Sequence, residues 1–115
     1  MIFTNEFIES FNLLCEKVTE ISESKGWTVE TDEKSIATKI ALMHSELSEA
    51  LEALRHGNPP DNHIPEFNGL EAEFADTIIR IAHVAKVLNL RVGEAIIAKL
   101  QYNSQREYKH GGKSF

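Results

Sequence analysis

Cysteine is almost missing from this chain of 115 residues: Cys15 stands alone. One thiol closes no internal disulfide and leaves no Cys-x-x-Cys pair for zinc. Cys15 therefore reads as a small hydrophobe in a reducing compartment. Long apolar runs are missing too. Nothing approaches the ~20 residues that a membrane-spanning helix needs, and the opening MIFTNEFIES has neither a basic stretch nor a signal-like apolar run. The expected setting is the cytoplasm, away from membranes. Positive charge is scarce: 12 Lys and Arg against 18 Asp and Glu give a net charge of -6, which argues against nucleic-acid binding through a general basic surface. No convincing strand-like alternation, repeat or low-complexity tract is present.

What is present is an ordinary soluble composition, 42% hydrophobic and 26% charged, in a length that suits one domain over residues 1–115. A chain this short builds one modest core, which oligomerisation would extend. A period of 3.6 marks four helical segments. Phe3, Phe7, Phe11, Leu14, Val18 and Ile21 form the first stripe, with Thr4 as N-cap, Phe3 and Ile8 as its hydrophobic staple and Gly26 as the stop. Asp32 caps the second helix, which runs to about Arg55 on a core stripe of Ile36, Ile40, Met43, Leu47, Leu51 and Leu54. HGNPPDNHIPEFNG follows as a loop, marked by Gly57, Pro59, Pro60 and Pro65. Loops of this length are often functional or mobile. Asn68 caps the third helix with Glu71 as capping-box partner, and Leu70, Phe74, Ile81, Ala85 and Leu88 face the core. A turn at Asn89–Arg91 leads into the fourth. The tail YKHGGKSF is Gly-rich and basic, and residues 109–115 are expected to be mobile. The fold class expected is all-α, an antiparallel helical bundle of about four helices completed by oligomerisation.

Charge is unevenly placed. Residues 1–77 hold 16 acids and 5 Lys or Arg, whereas residues 78–115 hold 2 acids and 7 Lys or Arg. Either a basic helix docks on acidic ones, or both signs converge on a ligand that needs both, such as a metal-bound phosphate. In HSELSEALEA, Glu46 and Glu49 are three apart and adjacent on the helix surface. Glu46 lies about 80° from the centre of the apolar stripe and Glu49 about 60° further round, so both border the core. EAEFADTIIR repeats the pattern with Glu73 and Asp76. Each pair alone suits a solvated helix face. If the two helices pack side by side, four carboxylates converge, repel one another and hold raised pKa values unless a cation neutralises them. Hard oxygen donors suit Mg²⁺, or Mn²⁺ in its place. A ferritin-like di-iron site would need Glu-x-x-His pairs, and there are none.

The fourth helix, in AIIAKLQYNSQR, carries Lys99, Asn103 and Arg106 on one face beyond Val92 and Ile96. Lys and Arg neutralise phosphate oxygens, and Asn donates to a phosphate or sugar oxygen. Trp27, after Gly26, can stack on a base or pack as a capping aromatic. Lys39, two turns before Glu46, can reach a phosphate or remain solvated. His44 reads as a surface or interface residue. His56, His63 and His110 carry no assignable role.

Together Glu46-x-x-Glu49, Glu73-x-x-Asp76, Lys99-x-x-x-Asn103-x-x-Arg106 and the pair Gly112 and Lys113 resemble the MazG-like family, all-α nucleoside triphosphate pyrophosphohydrolases. The resemblance spans roughly residues 34–113. It implies a helical bundle completed as a homodimer or homotetramer, and Mg²⁺-dependent cleavage between the α and β phosphorus atoms of a nucleoside triphosphate. It implies that Glu46, Glu49, Glu73 and Asp76 hold the metal. Lys99, Asn103 and Arg106 would contact phosphates or sugar, and Lys113 would close over the triphosphate. Glu46 or Glu49 is the expected base. Two positions depart from the pattern: Ser45 stands where relatives often have a Glu, and Arg91 where they often have an acidic cap. A phosphoribosyl-ATP pyrophosphohydrolase and a non-catalytic helical interaction module are the competing readings.

Overall fold

A computed structural model of the chain describes residues 3–106 and residue 108. These form four helices, α1 (Phe3–Ser24), α2 (Glu33–Arg55), α3 (Gly69–Val87) and α4 (Val92–Ser104). Among the described residues there is no strand, only an isolated bridge between Pro60 and Asn68. The fold is all-α, as the periodicity implies. Lys113 and the tail at 109–115 lie outside the described residues, as does the side chain of Phe3 and with it the expected staple.

Local chemistry sets most boundaries. Asp32 caps α2 by accepting from the Ser35 backbone N–H at 2.9 Å and its hydroxyl at 2.8 Å. Asn68 and Glu71 close a capping box on α3, each side chain accepting from the other's backbone N–H. Three helices stop in one way. Gly26 (φ 88°), Gly57 (φ 83°) and Asn89 (φ 55°) adopt the left-handed conformation, and each closes a paired hydrogen bond back onto the last turn. At α1, for instance, Gly26 N–H donates to the Glu23 carbonyl and Trp27 N–H to that of Ser22, both at 3.0 Å. Arg91 begins α4 with no side-chain cap bond. Thr4 is not the cap of α1: the helix already includes Phe3, so Thr4 sits within its first turn.

α3 is the central helix. It packs on α2 along one side and on α1 along another, while α4 packs on α1. Small residues make the closest approaches. Gly69 opens α3 so near to α2 that a Cβ there would lie 2.5 Å from the Ala53 Cβ, and at Gly93 a Cβ would meet the Phe11 ring at 3.3 Å. Cys15, Val18, Ala82 and Ala85 form the core cluster, with Phe11 and Val92 against it.

The expected core stripe of α2 is largely outside. Ile40, Leu47, Leu51 and Leu54 are exposed, Leu54 by 55%, and so is Phe74 of α3, by 51%. The cause is rotational. α2 has α3 as its main neighbour, and the residues it buries are Glu46 and Ala50, which turns the leucines away. Among the described residues, no helix is long and apolar enough to cross a membrane.

Candidate functional site

The same rotation builds an acidic site. Glu46 and Glu49 share one side of α2, and α3 brings Glu73 alongside; one carboxylate oxygen from each lies within 4.8 Å of the other two. Glu46 is buried, only 8% exposed. Glu73 Oε2 is also buried, and no N–H or O–H of the described residues donates to it. An oxygen so placed, beside two further carboxylates, is satisfied by a proton or by a cation.

Charge is shared unequally within the cluster. Arg80 Nε donates to Glu46 Oε1 at 2.9 Å. Burial works against the Glu46 charge, but hydrogen bonding with Glu73 and Arg80, together with the charge of Arg80, outweighs it and holds the carboxyl below its ordinary range. Glu73 has no such partner. Burial, hydrogen bonding to Glu46 and Glu49, and their charges push its pKa up to about 8. Lost hydration and the Glu46 charge raise Asp76 as well, with Arg80 opposing.

A cavity of about 510 Å³ opens beside these acids, with Glu46, Asp76 and Arg80 in its wall. Trp27, Lys39 and Leu42 line it from the α1–α2 connection and from α2; Ile79, His83 and Val84 line it from α3. The left-handed turn at Gly26 delivers Trp27, 69% exposed, to this cavity. The space thus joins an anionic end, two cations, apolar walls and an exposed indole.

Glu46, Glu49 and Glu73 therefore meet directly, whereas Asp76, the fourth carboxylate expected there, stands outside that group and lines the cavity together with Glu46, Trp27 and Lys39. Lys99, Asn103 and Arg106 do not join them. All three are exposed on or just beyond α4, and none lines the cavity. Lys99 Nζ and Arg106 Cζ instead lie 5.4 and 5.9 Å from the centroid of the Tyr102 ring. Two residues at the site were not singled out from the sequence. Arg80 follows Asp76 by four and Glu73 by seven, so helix spacing alone puts it on their face. His83, one turn further, is buried, and its Nε2 lies 3.7 Å from Glu23 Oε2 with no hydrogen bond among the described residues. No family model, curated protein or solved structure matches the chain.

Proposed function

We propose that the protein is a Mg²⁺-dependent nucleoside triphosphate pyrophosphohydrolase that converts a (d)NTP and water into a (d)NMP and pyrophosphate, in nucleotide-pool control or housecleaning. The observation that carries this reading is the meeting of Glu46, Glu49 and Glu73 within 4.8 Å, at the edge of a cavity that also presents Trp27, Lys39 and Asp76. The donor set fits the metal: all ligands are hard oxygens, and Glu73 Oε2 lacks a donor. Glu46, Glu49 and Glu73 would hold Mg²⁺ or Mn²⁺, with Asp76 beside them. When bound, the ion would supply charge neutralisation of the triphosphate oxygens.

The remaining work falls to side chains. Glu49 is exposed and pairs with no arginine among the described residues, so it is the better placed of the two candidate bases to take a proton from the attacking water, while Glu46 is engaged by Arg80. Water oxygen bonds to the α phosphorus as the bond to the bridging oxygen breaks, and pyrophosphate leaves. Lys39 neutralises phosphate charge, and the Trp27 indole stacks on the base. Lys99, Asn103 and Arg106 serve the phosphates in a site completed by a second copy. That copy covers Leu47, Leu51, Leu54 and Phe74, whose exposure leaves a lone chain without a full core.

The test is to incubate the protein with Mg²⁺ and each common dNTP and NTP. Pyrophosphate and a monophosphate are the expected products. Orthophosphate with a diphosphate, or no turnover of any of them, would overturn the assignment.

A further inference from the structure

Arg80 forms the one salt bridge that joins α2 to α3 among the described residues. Its role differs from that of an ordinary surface pair. The Glu46 side chain is 10% exposed and that of Arg80 37%, so the carboxylate is held inside while the guanidinium reaches the cavity wall. Only Nε is engaged, at 2.9 Å. Among the described residues the two Nη groups make no hydrogen bond. A guanidinium has five donors in a planar fork suited to phosphate and carboxylate oxygens, and most of that fork is unused.

Glu46 also belongs to the three-carboxylate cluster. A divalent cation there and the Arg80 guanidinium compete for the same carboxylate, and they repel each other at this range. Displaced from Glu46, Arg80 keeps its charge, because a guanidinium does not deprotonate in a protein. The cavity it already lines is where an anion can take it up.

We infer that Arg80 is a positioning residue that exchanges partners: it holds Glu46 while the cluster carries no divalent cation, and turns its guanidinium to anionic oxygens in the cavity once a cation takes Glu46. This rests on the metal-site reading above. Cation and polyanion then bind cooperatively, each weakly alone. Free nucleotide-sized anions gain little without metal, and metal gains little without the anion.

The test uses Mn²⁺ alone and inorganic pyrophosphate in excess Mn²⁺, titrated calorimetrically into the wild-type protein and R80M. Removing Arg80 should tighten Mn²⁺ alone by about fivefold and weaken pyrophosphate by about tenfold or more, within the span of ordinary coupling energies. These opposite signs are what a merely structural role would not produce, since a loosened helix pair weakens both. If the wild type takes up no Mn²⁺ with or without pyrophosphate, the metal-site reading falls and this inference with it. If the wild type binds Mn²⁺ but R80M binds it equally or less tightly, only the inference falls. Should R80M fail to fold, the wild type still decides. Its Arg80 Nε–H resonance, assigned by its loss in R80K, should move when Mg²⁺ saturates the site. A resonance that stays put overturns the exchange.

Discussion

Glu46 and Leu54 stand two turns apart on α2, and their exposures are the reverse of their chemistry. The carboxylate is 8% exposed and the leucine 55%. Fully burying a leucine is worth roughly 1.5–3 kcal/mol, and α2 forgoes about half of that at each of Leu47, Leu51 and Leu54. Burying a carboxylate is costly unless it is paired, and Glu46 is held charged by hydrogen bonding with Glu73 and Arg80. Neither choice favours an isolated chain. Both are explained if each side of α2 waits for something different, a cation on the glutamate side and a second copy of the chain on the leucine side. On the function proposed above, the helix would be divided between the two, its apolar stripe serving a partner's surface more than the chain's own core.

The sharpest way to break this comparison is to remove a ligand from the glutamate side. E49A should lower pyrophosphohydrolase turnover by about 10²- to 10⁴-fold, the range spanned by loss of a proton acceptor, and D76A, which takes a carboxylate from beside the cluster, should lower it as well, with far-UV circular dichroism unchanged in both. Undiminished activity in either variant would contradict the site. On the other side, L51E places a charge in the middle of the leucine stripe. Sedimentation equilibrium should show the wild type as a dimer or tetramer and L51E shifted toward monomer, with a melting temperature that no longer rises with concentration. If the wild type is itself monomeric, the leucine side is plain surface and the comparison loses one half.

A smaller effect tests how the two helices meet. G69A inserts a Cβ 2.5 Å from that of Ala53, so α3 has to move off α2. The expected loss is about 1–3 kcal/mol, as for other overpacked contacts, read from urea denaturation. A53G, which clears the opposing methyl, should recover part of it in the double variant.

These contacts also mark how far the sequence could be read. The four helices, the Asp32 cap, the Asn68–Glu71 box and the Gly26 stop are local chemistry and were legible from neighbouring residues. The meeting of Glu46, Glu49 and Glu73 followed from two spacings of three, given that consecutive helices pack. Which side of α2 faces α3 was not legible. Periodicity says that Ile40, Leu47, Leu51 and Leu54 share a side, but not whether their cover is this chain or another. The contact instead uses Ala53 and Gly69, whose small size lets the backbones approach. Lys99, Asn103 and Arg106 share a face in the same way, yet α4 packs on α1 and leaves that face away from the acids. Arg80 was readable by spacing, but an arginine on a helix surface carries no signal until the opposite carboxylate is known.

The last predicted effect concerns protons on the glutamate side. Glu73 keeps its proton up to about pH 8 in the folded chain, against an ordinary value of 4.5. Between those values the folded state holds more protons than the unfolded one, so stability falls as pH rises. The raised pKa of Asp76 acts in the same direction. The lowered pKa of Glu46 acts oppositely: its stabilisation is present above 4.5 and is lost only as pH drops below that value. The metal-free protein should therefore lose melting temperature steadily between about pH 5 and about pH 8. E73Q, which cannot ionise, should flatten most of the slope. Excess Mg²⁺ should flatten it too, because the ion binds the deprotonated cluster more tightly as pH rises and offsets the repulsion that otherwise grows. A wild-type slope that Mg²⁺ leaves untouched would mean that the proton on Glu73 does not stand where a cation binds, and the glutamate side of α2 would be left with Arg80 as its sole partner.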